Sequence, residues 1–111
     1  MADYDPELCE AFDRRKEGPF IVPGGGTHRL TIDCTHCGGH IQNYQITLMK
    51  SPKRTTPSAT LAVFDQHGVR VGGSHPYIAE IGSVPADAVY TVVVTGAKKQ
   101  ESCVLQFTGA I

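Results

Sequence analysis

The stretch Cys34-Thr35-His36-Cys37-Gly38-Gly39-His40 holds the residue types best suited to chemistry. A C-x-x-C turn followed by an imidazole brings two soft thiolates and a nitrogen donor within reach of one ion. This is how half of a structural zinc site is written, and His36 adds a further donor. The usual second ligand pair at short spacing is missing, so His28, His67, His75, Cys9 or Cys103 would have to complete the sphere from elsewhere in the fold. Zinc held by Cys34, Cys37, His40 and His36 is the alternative reading of this stretch. The preferred one is structural, with Cys34 ending a strand as a small core hydrophobe, Cys37 in a glycine-rich loop and the histidines in solvent. A thioredoxin-type redox pair is disfavoured because Gly38-Gly39 stands where that motif opens a helix. A Cys/His nucleophile is the remotest reading, since no oxyanion hole and no third orienting group can be read. The chain is therefore taken as a non-enzyme.

Two clusters of cations offer binding chemistry instead. Lys50, Lys53 and Arg54 surround the loop Ser51-Pro52-Lys53-Arg54-Thr55-Thr56-Pro57-Ser58 and give it a local positive charge suited to an acidic protein surface or an anionic lipid. A merely solvated loop is the blander reading of these residues and the preferred one. Arg14 and Arg15 close the second cluster, near the end of the one expected helix.

Composition bounds what these residues can do. With 111 residues and 41% hydrophobic content the chain has enough material for one core. A formal charge of −1, from 10 Lys and Arg against 11 Asp and Glu, supplies no sequence-wide pull towards nucleic acid, which is not expected as a partner. No apolar run approaches the roughly 18 residues of a membrane span, and the first residues do not read as a secretory signal. Four cysteines without such a signal are read as reduced thiols in a cytoplasmic protein.

The elements that must position these residues follow from periodicity and punctuation. Asp5 to Gly18 reads as a helix: Asp5 caps it, Pro6 suits its first turn, Arg14, Arg15 and Lys16 favour its negative end and Gly18 stops it. Residues 1–18 are thus expected as a helical extension and 19–111 as the folded domain. Pro19 to Pro23 reads as an edge strand, because proline cannot donate to a ladder, and Gly24 to Gly26 as a turn. Leu30, Ile32 and Cys34 alternate inward along the next strand, and Tyr44, Ile46 and Leu48 along another. Ala59 to Val71 reads as a hairpin, with Leu61, Val63, Val69 and Val71 alternating about Asp65-Gln66-His67-Gly68. Tyr77 to Ile81 is a short strand. Val89 to Thr95 is apolar enough to be central, Gly96 to Glu101 reads as a charged turn, and Cys103, Leu105 and Phe107 alternate through the last strand. About eight short strands with one short N-terminal helix predict an all-β fold, an antiparallel jelly-roll or Greek-key β-sandwich.

The order ATLAVFDQHGVRVGGS, YIAEI and VYTVVVTGAKKQESCVLQFTG resembles the jelly-roll sandwich shared by calpain domain III and the bacterial pre-peptidase C-terminal domains. Asp65 and Gly68 match the turn of their Asp-x-x-Gly hairpin, and Tyr90, Val92 and Val94 their Y-x-V-x-V strand. The resemblance covers residues 59 to 109 well and 19 to 50 loosely. It implies a freestanding, non-catalytic accessory module that binds a protein partner, a lipid headgroup or carbohydrate. The chain lacks the dense acidic loop of the calpain type.

Overall fold

Period-two alternation resolves into eight strands: β1 (Lys16–Val22), β2 (Thr27–Asp33), β3 (Gln42–Lys50), β4 (Thr60–Phe64), β5 (Arg70–Val71), β6 (Ile78–Gly82), β7 (Val89–Thr95) and β8 (Glu101–Ala110). The computed structural model describes residues 16–35, 41–73 and 75–110, and no helix occurs among them. The strands form two four-stranded antiparallel sheets, ordered β1-β8-β3-β6 and β2-β7-β4-β5. Pairing is nested about the β4–β5 turn: β4 lies beside β5, β3 beside β6, β2 beside β7 and β1 beside β8. Every connection except β4–β5 passes from one sheet to the other.

One hydrophobic cluster joins the sheets. Val22, Tyr44, Ile46, Leu48, Leu105 and Phe107 enter it from the first sheet, and Ile32, Leu61, Val63, Tyr90, Val92 and Val94 from the second. Residues two apart on a strand share a face, so each alternating run delivers its apolar members to this core. Burying one such aliphatic or aromatic side chain contributes about 1.5–3 kcal/mol. Near its middle the Tyr44 and Phe107 rings lie with centroids 6.4 Å apart and planes 21° from parallel. β7 is interior to its sheet, as its apolar run predicts, and even Val93 on its outer face is buried.

Three local expectations change. The first concerns the helix, whose residues 5–15 lie outside the described residues. Lys16 to Gly18, expected as its last turn, instead open β1, where Lys16 stands opposite Gln106 and Glu17 opposite Leu105. The ladder offered by β8 satisfies backbone groups that a helix end would leave open. The folded unit therefore begins before residue 19.

The second concerns the hairpin. Its turn forms as read: Gly68 takes a φ of 77° and its N–H donates to the Asp65 carbonyl at 3.0 Å. Asp65 Oδ1 accepts from the His67 and Val69 N–H groups at 2.9 and 3.0 Å. That local bonding holds Val69 in the turn, so Val69 is 58% exposed and only Val71 of the second arm packs on the core. The third change is at Glu101, expected in a charged turn, which opens β8 and is buried.

Candidate functional site

The registers divide the loops between the two ends of the fold. Val22 pairs with Glu101, Lys50 with Cys103, Thr47 with Ile78, and Thr95 with both Thr27 and Thr60, so residues 23–26, 51–59, 72–73, 75–77 and 96–100 gather at one end. Lys50, Lys53, Arg54, Lys98 and Lys99 lie there, half of the chain's ten Lys and Arg residues. Glu101 is the one carboxylate in or beside these segments. Its side chain is turned inward: Oε1 accepts the Ala59 N–H at 2.8 Å and the carboxylate accepts the Ser58 N–H at 3.1 and 3.2 Å. The cations thus face solvent while the neighbouring negative charge is committed to backbone donors.

Two adjoining concavities share Lys50. The larger, about 410 Å³, is lined by Lys50, Ser58, Lys98, Lys99, Gln100 and Glu101 among others. The smaller, about 260 Å³, lies against Lys50, Ser51, Pro52, Lys53 and Thr55. Lys98 and Lys99 escaped the sequence reading, which saw only a charged turn in residues 96–101. Their approach to Lys50 depends on β3 and β8 pairing across a long sequence separation, and no local signal records it.

Backbone bonds hold the segments that present these cations. Lys50 N–H donates to the Thr55 carbonyl at 2.9 Å and Ser51 N–H to the Ser102 carbonyl at 2.8 Å. Gly25 N–H donates to the Ala97 carbonyl at 2.7 Å and Gly96 N–H to the Gly26 carbonyl at 2.8 Å. This seam is close enough that a Cβ on Gly24 would lie 2.6 Å from the Lys98 carbonyl oxygen. Arg54, at the tip of its loop, sits in the left-handed region with φ 52°. Held this way, the cationic surface loses less conformational entropy on binding than mobile loops would. Behind it Cys103 is buried. Burial first, and then the Glu101 carboxylate, push its thiol pKa up against an opposing pull from Lys50.

The opposite end has the reverse character. Asp33 closes β2, while Asp65 and Asp87 lie in the β4–β5 and β6–β7 connections. Gln66 ties these connections together, donating to the Asp87 carbonyl at 3.1 Å and accepting from Val89 N–H at 3.3 Å. A cleft of about 270 Å³ is lined there by Asp65, Gln66, Asp87 and Tyr90 among others. Burial, with smaller contributions from Cys34 and Asp65, pushes the Tyr90 hydroxyl from 10.0 to about 12. An unfolded chain then loses this proton at lower pH than the folded one. The contribution is complete below about pH 10 and is lost as pH rises towards 12, by at most about 1.4 kcal/mol per pH unit. The urea midpoint is expected to fall across this window, and less steeply in Tyr90→Phe.

Of the proposed metal ligands, Cys34 is fully buried at the end of β2, with its N–H donating to the Ala88 carbonyl at 3.0 Å. His36, Cys37 and His40 lie outside the described residues, as do Arg14 and Arg15. The described histidines that could complete a zinc sphere are scattered: His28 stacks on Phe20 at 4.2 Å, His75 packs edge-on against Tyr77 at 4.2 Å, and His67 is exposed in the β4–β5 turn, while Cys9 lies outside the described residues. Among the described residues no three of His, Cys, Asp and Glu are grouped to hold an ion. No described helix is long and apolar enough to cross a membrane.

No protein-family model, curated protein or solved structure matches the chain.

Proposed function

We propose that the chain is a non-catalytic interaction module whose basic end docks onto an acidic surface of a protein partner. The observation that carries this reading is the convergence of Lys50, Lys53, Arg54, Lys98 and Lys99 beside a carboxylate that backbone donors occupy. Opposed charge steers encounter and fixes orientation, and a rigid sandwich with functional loops is a usual platform for it. The nested strand pairing supports a jelly-roll topology, in keeping with the resemblance to calpain domain III and pre-peptidase C-terminal modules.

Anionic lipid is the weaker candidate. Peripheral attachment gains from apolar side chains that enter the bilayer boundary. The large exposed hydrophobics among the described residues are Ile21, on a strand, and Val69, in a turn at the acidic end. The test compares an acidic peptide with vesicles containing phosphatidylserine, each titrated with the whole chain at low and moderate salt. Salt-sensitive peptide binding is expected, weakened about tenfold by Lys98→Glu with Lys99→Glu, since each exposed pair contributes up to about 1 kcal/mol. Equal binding by the double variant, or binding to vesicles alone, would overturn the reading.

A further inference from the structure

Among the described residues each sheet has two outer strands, and three of these four are poor templates for further pairing. β1 contains Pro19 and a register break between Glu17 and Phe20. β5 is two residues long, and β6 spans five and ends at Gly82 with φ 81° beside another break. Proline, bulges and shortness are the usual means of blunting a sheet edge. β2 has none of these. Its seven residues carry neither Pro nor Gly, and all pair with β7 in unbroken register.

The parity of β2 is set by hydrogen bonds at its two ends. Gly96 N–H donates to the Gly26 carbonyl, and Cys34 N–H to the Ala88 carbonyl. Even-numbered residues of β2 therefore exchange bonds with β7, and Thr27, Arg29 and Thr31 turn their backbone N–H and C=O groups away from it.

We propose that two copies of this chain associate through β2, antiparallel about a two-fold axis at Thr31. This register brings Arg29 opposite Asp33 of the second copy, Thr31 opposite Thr31, and Leu30 opposite Ile32 on the inner faces. It unites odd-numbered residues, so the outward backbone groups meet as hydrogen-bonded pairs. Centring the axis on Arg29 or on Asp33 would set like charges face to face, whereas centring it on Thr31 gives an opposite-charge pair twice. Two four-stranded sheets become continuous, and the basic ends point in opposite directions, giving a bivalent particle. The inference holds whatever the basic end binds.

A single strand seam falls short of the roughly 1,200 Å² of stable interfaces, so the dimer is expected to be concentration-dependent. Sedimentation equilibrium of the whole chain, from about 10 to 500 μM, should show mass rising towards twice the monomer. Thr31→Pro removes an outward donor and no bond to β7. Arg29→Asp opposes two like-charged pairs. Each should weaken association at least about tenfold without loss of the folded spectrum, while Arg29→Lys retains it. A chain that stays monomeric at the highest concentration, or one in which Thr31→Pro and Arg29→Asp associate like the wild type, would overturn the proposal.

Discussion

Phe107→Ala is expected to destabilise the fold by about 3–5 kcal/mol, enough to leave much of the chain unfolded at 37 °C if its stability is typical of small domains. Phe107 is fully buried, belongs to the interior strand β8 and lies beside Tyr44 of β3. Its removal leaves a void that two hydrogen-bonded strands cannot close without breaking register. Thermal or urea unfolding followed by circular dichroism checks this. Ile21→Ala, which truncates a 52% exposed side chain on the edge strand β1, should by comparison shift stability by less than about 1 kcal/mol. Similar losses from the two substitutions would mean that Phe107 is not in the core.

Glu101→Ala is expected to cost about 2–4 kcal/mol, a large effect for a residue read from sequence as part of a charged turn. The carboxylate accepts from the Ser58 and Ala59 N–H groups, and it is only 9% exposed. Alanine removes charge-assisted bonds and strips two backbone donors of their acceptor, a heavier penalty than loss of a surface pair. Glu101→Gln retains one acceptor oxygen and should recover part of the loss. Because Ser58 and Glu101 both line the larger basic concavity, the alanine variant should also weaken anionic binding, although it removes a negative charge. Tighter binding, with an unchanged melting temperature, would show that Glu101 acts as an electrostatic brake and not as an anchor.

Local grammar in the sequence determined most of the strands. Tyr44, Ile46 and Leu48 point inward, as do Cys103, Leu105 and Phe107, because the core selects one face of each pleat. The Asp65 to Gly68 turn was legible because its hydrogen bonds join neighbours in sequence. Local bonding to Asp65 kept Val69 out of the second arm, and non-local bonding accounts for the other misreadings. Lys16 to Gly18 carry helix-end signals, yet β8 draws them into a ladder through partners at Glu17–Leu105 and Phe20–Cys103. The candidate site was half legible: Lys50, Lys53 and Arg54 stand together in the chain. Lys98 and Lys99 reach them only once β3 lies against β8, and the committed carboxylate of Glu101 depends on donors from the end of the β3–β4 connection. Such convergence is invisible to any short window of sequence.

Whether the basic end is the docking surface can be read from backbone amide shifts mapped while an acidic peptide is titrated into the labelled chain. Perturbations should cluster at Lys50 to Thr55 and Ala97 to Glu101 and fade as salt is added. Shifts confined to Asp65 to Val69 and Ser83 to Ala88, or spread evenly over both ends, would contradict it.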